Sequence, residues 1–350
     1  MPPGLITTRA ILIERLGPPA ILVERTVELR DPAAGQVHVK VAAAGLNFAD
    51  LLMRVGLYGT VPPRPFSPGF EVAGEVVRVG PGVEGWREGD RAIALMRYGG
   101  YAHDVVVPAA NLFRYPSALS FVEAAAIPVA FLTAWVCLFE AARARAGETV
   151  LILGAAGGVG TAAVQLARAA GLRVIGTAGT EHKREFVTAQ LGADACFDAR
   201  GDWEAGVRRL LGERAIDVAL DAVGGRATAS CQRLLAPLGR LVFYGLSTAL
   251  PTQRRSWPRA LLALMKTPRI HPLSLVQANR GIMGVHLLHL GRKESVLRPA
   301  LGTIMQGIEQ GTLRPIIDQV FPLTRDGAVA AHQHVHQRRS LGKVVLAESQ

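Results

Sequence analysis

Cysteine is scarce in this chain. Its three cysteines, Cys137, Cys196 and Cys231, stand far apart, and no Cys-x-x-Cys occurs. That excludes a disulfide framework and a structural zinc ribbon, and it suits a reduced compartment. Long uncharged apolar runs are lacking too. The longest, Ala124 to Phe139, is too short to span a bilayer and contains Pro128, so it reads as a buried linker. Aromatic residues make up only 6% of the chain and do not interleave with the cations, so nucleic acid is not an expected partner. The opening residues, Met1 to Arg9, lack the charged-then-apolar order of a signal peptide, and a cytoplasmic protein is expected. Acidic residues are outnumbered, 28 against 39 Lys and Arg, and none falls between Asp221 and Glu294. With nucleic acid set aside, such a balance points to a phosphorylated ligand or an anionic lipid surface.

Glycine is plentiful, and one cluster of it organises the chain. Thr149-Val-Leu-Ile-Leu153 is a short β-rich run. Gly154-Ala-Ala-Gly-Gly-Val-Gly160 follows it, and then an Ala-rich helical run to Arg168. A strand, a glycine turn and a helix in that order form a dinucleotide cradle. Gly154 allows the turn, Gly157 admits a diphosphate close to the backbone, and Gly160 lets the helix pack on the strand. Gly154, Ala155, Gly157, Gly158, Val159 and Gly160 are therefore cofactor-binding candidates. The first N–H groups of the helix face the phosphate charge.

At 350 residues two domains are expected. Residues before the linker alternate like short strands (10–15, 20–29, 36–43, 69–79, 91–95 and 100–107) and predict a barrel-like β domain. Ser120 and Glu123 form a capping-box pattern, and a linker helix is expected from Phe131 to Arg143. Strands near 149–153, 172–176, 194–197, 216–221, 239–244 and 281–286 then alternate with helices near 158–170, 181–190, 202–212, 225–235 and 257–266. This predicts a six-stranded parallel Rossmann sheet. The tail reads helix (293–310), strand (316–321), helix (325–337) and strand (343–346), and its strands are expected to rejoin the first domain. The expected division is 1–130 with 290–350 as the β catalytic domain, and 131–289 as the dinucleotide domain.

The second strand of an NAD site usually ends in an acid that binds the ribose diol. Here it ends Val174-Ile-Gly-Thr-Ala-Gly-Thr180, with no carboxylate at the tip and Lys183 and Arg184 just beyond. A 2′-phosphate suits hydroxyls and cations, so NADPH is expected as the cofactor, with Thr177, Gly179 and Lys183 around it. Lys183 and Arg184 also read as a plain solvated helix face. Gly245, past the fifth strand, joins the cofactor-binding set.

The whole plan resembles the medium-chain dehydrogenase/reductase superfamily over nearly its full length. The runs at 45–50, 56–58, 68–74, 89–91, 155–160, 221–225 and 341–345 are similar to its quinone oxidoreductase branch. The stretch Leu275 to Leu288 and the Gly-Leu-Tyr/Pro-Pro segment at 56–63 resemble the vesicle amine transport protein-like subgroup. The resemblance implies a GroES-like β domain, a homodimer and no catalytic zinc. In the zinc members a Cys and a His stand where this chain has the Gly45-Leu46-Asn47 run and Phe70. It also implies that Asn47 and Tyr58 are the polar catalytic positions, and that Thr133 lies by the cofactor. Asn47 also reads as the cap of a helix from Phe48 to Arg54, and Tyr58 as core. Two further tyrosines of some quinone reductases are missing here, with Leu52 at one place and the region of Ala199 at the other.

Together these readings predict a zinc-independent, NADPH-dependent reductase of quinones or α,β-unsaturated carbonyls. The rival is an NADPH-binding protein that docks lipid or a partner through residues 247–280. There Arg254, Arg255, Arg259, Lys266, Arg269 and Arg280 surround Trp257 and an apolar helix. His332 and His336 share a helix face, but no third ligand joins them, so no metal site is expected.

Overall fold

The computed structural model describes residues 4–59, 61–249, 257–290 and 294–348. Arg254 and Arg255 of the basic stretch lie outside the described residues. The chain forms two compact units. One comprises Met1–Val129, Thr252–Arg255 and Pro315–Gln350, and the other Ala130–Pro251 and Ser256–Arg314.

The first unit opens with an antiparallel hairpin, β1 (Leu5–Ile13) and β2 (Leu22–Arg30). β3 (Gln36–Leu46) is the centre of the main sheet. Its Val37, Val39 and Val41 are all buried, as the two-residue period demands, while Lys40 between them is exposed. Helix α1 (Phe48–Val55) follows, then β4 (Glu71–Val79), β5 (Arg91–Leu95), β6 (Asp104–Pro108), β7 (Leu112–Phe113) and the short helix α2 (Phe121–Ala125). Ser120 caps α2 and accepts from Glu123 N–H at 3.2 Å, as the sequence pattern predicts.

Helix α3 (Pro128–Trp135) starts three residues earlier than expected, because Pro128 sits in its first turn, where no N–H is needed. It does not continue regularly to Arg143. It widens into a π-helical segment, Val136–Ala141, and Ala142 N–H reaches back five residues to Cys137 O at 3.0 Å. Arg143 then takes a positive φ of 49° and ends the helical run.

The second unit contains the parallel sheet. β8 (Thr149–Ile152), α4 (Gly158–Ala169), β9 (Arg173–Ala178), α5 (Glu181–Glu185), β10 (Ala195–Asp198), α6 (Trp203–Leu211), β11 (Ile216–Asp221), α7 (Arg226–Leu234) and β12 (Leu235–Phe243) alternate. α8 (Trp257–Lys266), α9 (Pro272–Ala278), β13 (Gly281–Gly284) and α10 (Glu294–Glu309) follow. α9 is not expected from the sequence pattern. His271 and Pro272 start it, and Asn279 in the left-handed conformation closes it. The strand order is β10-β9-β8-β11-β12-β13, all parallel. The order reverses between β8 and β11, the switch point at which such sheets bind ligands. Leu151, Ile175, Ala219 and Leu241 of this sheet are wholly buried in one core cluster.

The tail supplies β14 (Ile317–Pro322), α11 (Arg325–His336) and β15 (Lys343–Ala347). Both strands belong to the first unit, in a seven-stranded sheet of order β14-β15-β3-β4-β5-β7 with β6 also on β3. The architecture is thus a mostly β unit plus a unit built on a six-stranded, all-parallel Rossmann-type sheet.

Candidate active site

In the second unit the glycine turn is built as a cradle. Gly154 has φ +70°. A Cβ on Gly160 would lie 2.2 Å from Gly154 O, so only glycine permits α4 to start there. Gly157 is different: a Cβ on it would meet only Gly154 O, at 3.4 Å. Packing does not require a glycine at 157, and the bare position leaves room for a ligand. Gly158, Val159 and Gly160 form the first turn of α4, whose leading N–H groups have no helical acceptor. Ala155 is buried and ties the turn to β9 through its N–H to Thr177 O at 2.9 Å. The residues present fit a diphosphate.

Thr177 does not stand open at the β9 tip. It is 2% exposed, and its hydroxyl accepts from Gly154 N–H at 3.2 Å, so it braces the turn from beneath. Gly179 lies beside the guanidinium of Arg200; a Cβ there would be 3.8 Å from Arg200 Nε. Arg200 follows β10, next to Ala199, and nothing in the local sequence pattern singles it out. Lys183 is half-buried in the first turn of α5, where its N–H meets the Thr180 hydroxyl at 3.4 Å. Thr133 is buried on α3. Gly245, two residues past β12, passes close to Ala222, whose O would lie 3.2 Å from a Cβ. Asp221 is structural: it accepts from Val223 N–H, Gly224 N–H and the Thr228 hydroxyl.

In the first unit Asn47 precedes α1, and its side chain is committed. Its amide donates to Glu71 Oε1 at 2.8 Å and to Gly45 O at 3.4 Å, and its Oδ1 accepts from Lys343 Nζ at 2.7 Å. Lys343 spends its other two donors on Leu46 O and Glu71 Oε1, at 2.9 and 2.7 Å. Glu71 Oε2 accepts from Val129 N–H at 2.7 Å. Lys343 and Glu71 are a satisfied buried ion pair, 4% and 0% exposed. A lone Lys in an apolar strand signals such a pair, because burying an unpaired ammonium is costly.

The chain is similar to known proteins over nearly its whole length. Residues 33–117 match the family model of the alcohol dehydrogenase GroES-like domain, and residues 158–287 that of zinc-binding dehydrogenases. The synaptic vesicle membrane protein VAT-1 homolog of Rattus norvegicus is 37% identical over 90% of this chain and 77% of its own. The quinone oxidoreductase of Rattus norvegicus is 32% identical over 99% of both. The structure of the human VAT-1 homolog-like protein superposes with a TM-score of 0.85 at 30% identity, covering 99% of each chain. Escherichia coli quinone oxidoreductase complexed with NADPH gives 0.85 at 27% identity, over 97% of this chain and 99% of that one. The chain belongs to the quinone oxidoreductase branch of the medium-chain dehydrogenases/reductases.

In this quinone oxidoreductase-family chain a second buried acid lies beside Asn47. Asp50 is fully buried. It accepts from Asn47 N–H at 2.8 Å, Gly69 N–H at 2.9 Å and the Tyr101 hydroxyl at 3.2 Å. Burial raises its pKa to about 7, against the lowering effect of those bonds and of Lys343. Tyr58 is half-buried, its ring 5.6 Å from that of Phe70. Burial first, and the Asp50 charge second, push Tyr58 up to about 12, so it holds its proton. Arg54 completes this polar interior: its Nε donates to His332 Nδ1 at 3.3 Å, and burial with the Arg54 charge keeps His332 neutral. His334 turns away to Asp318. Among the described residues, no group of three or more His, Cys, Asp or Glu side chains is placed to hold a metal.

The Asp50 shift has a stability consequence. Its proton is held more tightly in the folded chain than in the unfolded one. The stabilisation is complete below about pH 4 and is lost as pH rises towards 7, by about 4 kcal/mol in all. Asp50→Asn removes this titration. Urea unfolding from pH 4 to pH 8 is expected to show wild-type stability declining relative to the variant. Parallel pH profiles would contradict it.

Proposed function

We propose that this protein is a zinc-independent, NADPH-dependent reductase of quinones or α,β-unsaturated carbonyls. The observation that carries the reading is the cradle: a glycine turn fitted to a diphosphate, with the Arg200 guanidinium beside Gly179 and no carboxylate on the β9 tip itself. When bound, NADPH supplies a hydride. Arg200 and Lys183 would hold a 2′-phosphate, which an acid at the same place would repel. The N–H groups opening α4 take the diphosphate, and Thr133 and Gly245 line the way to the nicotinamide.

A conjugated acceptor spreads the developing charge onto oxygen, so a hydrogen-bond donor suffices to stabilise it. Tyr58, protonated at neutral pH, is that donor. Asn47 has a different part from the one expected of it. Its side-chain amide is engaged by Glu71, Gly45 and Lys343 and its backbone N–H by Asp50, so it fixes the start of α1. Zinc polarisation requires several converging N, S or O ligands. The places that resemble ligand positions in zinc relatives are taken by the Gly45-Leu46-Asn47 run and by Phe70, and among the described residues no three His, Cys, Asp or Glu side chains converge.

One observation favours the rival reading in part. On α8 and α9, Leu261, Met265, Leu273 and Val276 are 57, 72, 64 and 71% exposed. Such a face suits a second copy of the chain, with β13 as the open sheet edge, or a lipid surface. No helix of the described residues is long and apolar enough to cross a membrane.

Two variants test the enzyme reading. Arg200→Ala is expected to weaken NADPH binding about tenfold while leaving NADH nearly unchanged, the worth of one charge-assisted contact. Tyr58→Phe is expected to lower kcat for a quinone by about 10- to 100-fold with cofactor affinity intact. Equal losses for both cofactors would remove Arg200 from the site, and unchanged turnover would remove Tyr58.

A further inference from the structure

Backbone hydrogen bonds tie the glycine turn to a tyrosine two strands away. Leu153, just before Gly154, donates its N–H to Leu220 O of β11 at 3.0 Å. The next residue of β11, Asp221, accepts at its O from Tyr244 N–H, where the chain leaves β12, also at 3.0 Å. Neighbouring strands lie about 4.8 Å apart. The backbone of Tyr244 therefore stands roughly 10 Å from the start of the turn, on the same carboxyl edge of the sheet. β9, with Gly179 at its tip, lies on the opposite side of β8. Under the dinucleotide reading the adenosine half lies towards β9, so the nicotinamide extends towards β11 and β12.

The backbone around Tyr244 is fixed. Ser247 N–H donates to Ala222 O at 3.0 Å, and the Thr248 hydroxyl to Val223 O at 2.8 Å. The Tyr244 side chain is half-buried. Its hydroxyl has no hydrogen-bond partner among the described residues and, unlike that of Tyr115, is not sealed from solvent. The polar groups near it do not serve it. The Asp221 carboxylate is spent on Val223, Gly224 and Thr228, and Cys137 offers only a buried thiol, a weak acceptor. Burial first, then Cys137 and Asp221, raise the pKa of Tyr244, so the phenol keeps a proton to donate. A phenol enclosed to this degree ordinarily has a partner. Phenylalanine would fill the same space, so packing does not account for the hydroxyl.

We propose that the Tyr244 hydroxyl donates a hydrogen bond to the carboxamide oxygen of the nicotinamide. The inference rests on the dinucleotide reading given above. It adds a side chain at the end of β12 to the backbone cradle, and this contact fixes how the nicotinamide ring is turned towards the acceptor.

The test uses the full-length protein labelled with 3-fluorotyrosine and followed by 19F NMR. The chain has five tyrosines, so replacing each by Phe in turn assigns the signals, and Tyr58, Tyr98, Tyr101 and Tyr115 leave that of Tyr244 by elimination if Tyr244→Phe does not fold. The protein is titrated with NADP+ and, separately, with 2′,5′-ADP, which carries the adenosine half but no nicotinamide. Calorimetry records the affinity of each. A Tyr244 signal that moves with NADP+ and not with 2′,5′-ADP supports the inference. Tyr244→Phe is expected to weaken NADP+ about tenfold and to leave 2′,5′-ADP unchanged. NADP+ bound with the Tyr244 signal unmoved, or bound equally by Tyr244→Phe, overturns this inference and leaves the cofactor reading standing. Equal shifts or equal losses with 2′,5′-ADP also overturn it. Failure of NADP+ to bind the wild-type protein overturns both.

Discussion

The carbonyl oxygen of Gly154 sits where a side chain at position 160 would begin, and the second unit is arranged about that contact. The left-handed turn at Gly154 brings α4 down onto β8 and β9. Thr177 closes it from beneath, and Gly157 is left bare above. A helix N-terminus led by a bare glycine is the outcome, at the switch point of the sheet. Beside that turn, at the β9 tip, the Arg200 guanidinium lies against Gly179.

The first unit depends on charges taken out of water. Lys343, Glu71 and Asn47 bond β15 to β4 and to the start of α1. Every donor of the ammonium has an acceptor, which offsets the cost of burying it. The same close approach explains Gly45, where a Cβ would lie 2.5 Å from Glu71 Oε1. Asp50 is held less generously. Three donors reach it, yet burial outweighs them, and it is poised between its two protonation states at neutral pH. Its field is felt at Tyr58 and Tyr101. Under the proposed function this places the acid-base balance of the site in a residue that is itself wholly enclosed.

Much of this was legible in the sequence, for local reasons. The period-two burial of Val37, Val39 and Val41, the glycine turn and the alternation of strands and helices are short-range patterns, and the sheets follow them. The exceptions are also physical. Pro128 looked like an interruption but suits a first helical turn. The π-helical segment at Val136–Ala141 has no signature in an apolar run. In the candidate site, Gly154, Gly157 and Gly160 could be singled out because they stand together in one short strand-turn-helix pattern. Asn47 was found, but its partners Glu71 and Lys343 lie 24 and 296 residues away, and only the fold brings them to it. Arg200 was missed for the same reason: it approaches Gly179 across the sheet, from the end of the adjacent strand β10. Lys343 left one clue, a cation inside an apolar strand.

Under the proposed function the glycine cradle serves hydride transfer from NADPH to a conjugated acceptor. The most direct measurement follows oxidation of NADPH and of NADH at the nicotinamide absorbance, across a panel of quinones and enones. Rapid turnover with at least one acceptor class and a clear preference for NADPH are expected. Tight NADPH binding with no turnover on any acceptor would contradict it, and would move the function to the exposed apolar face of α8 and α9.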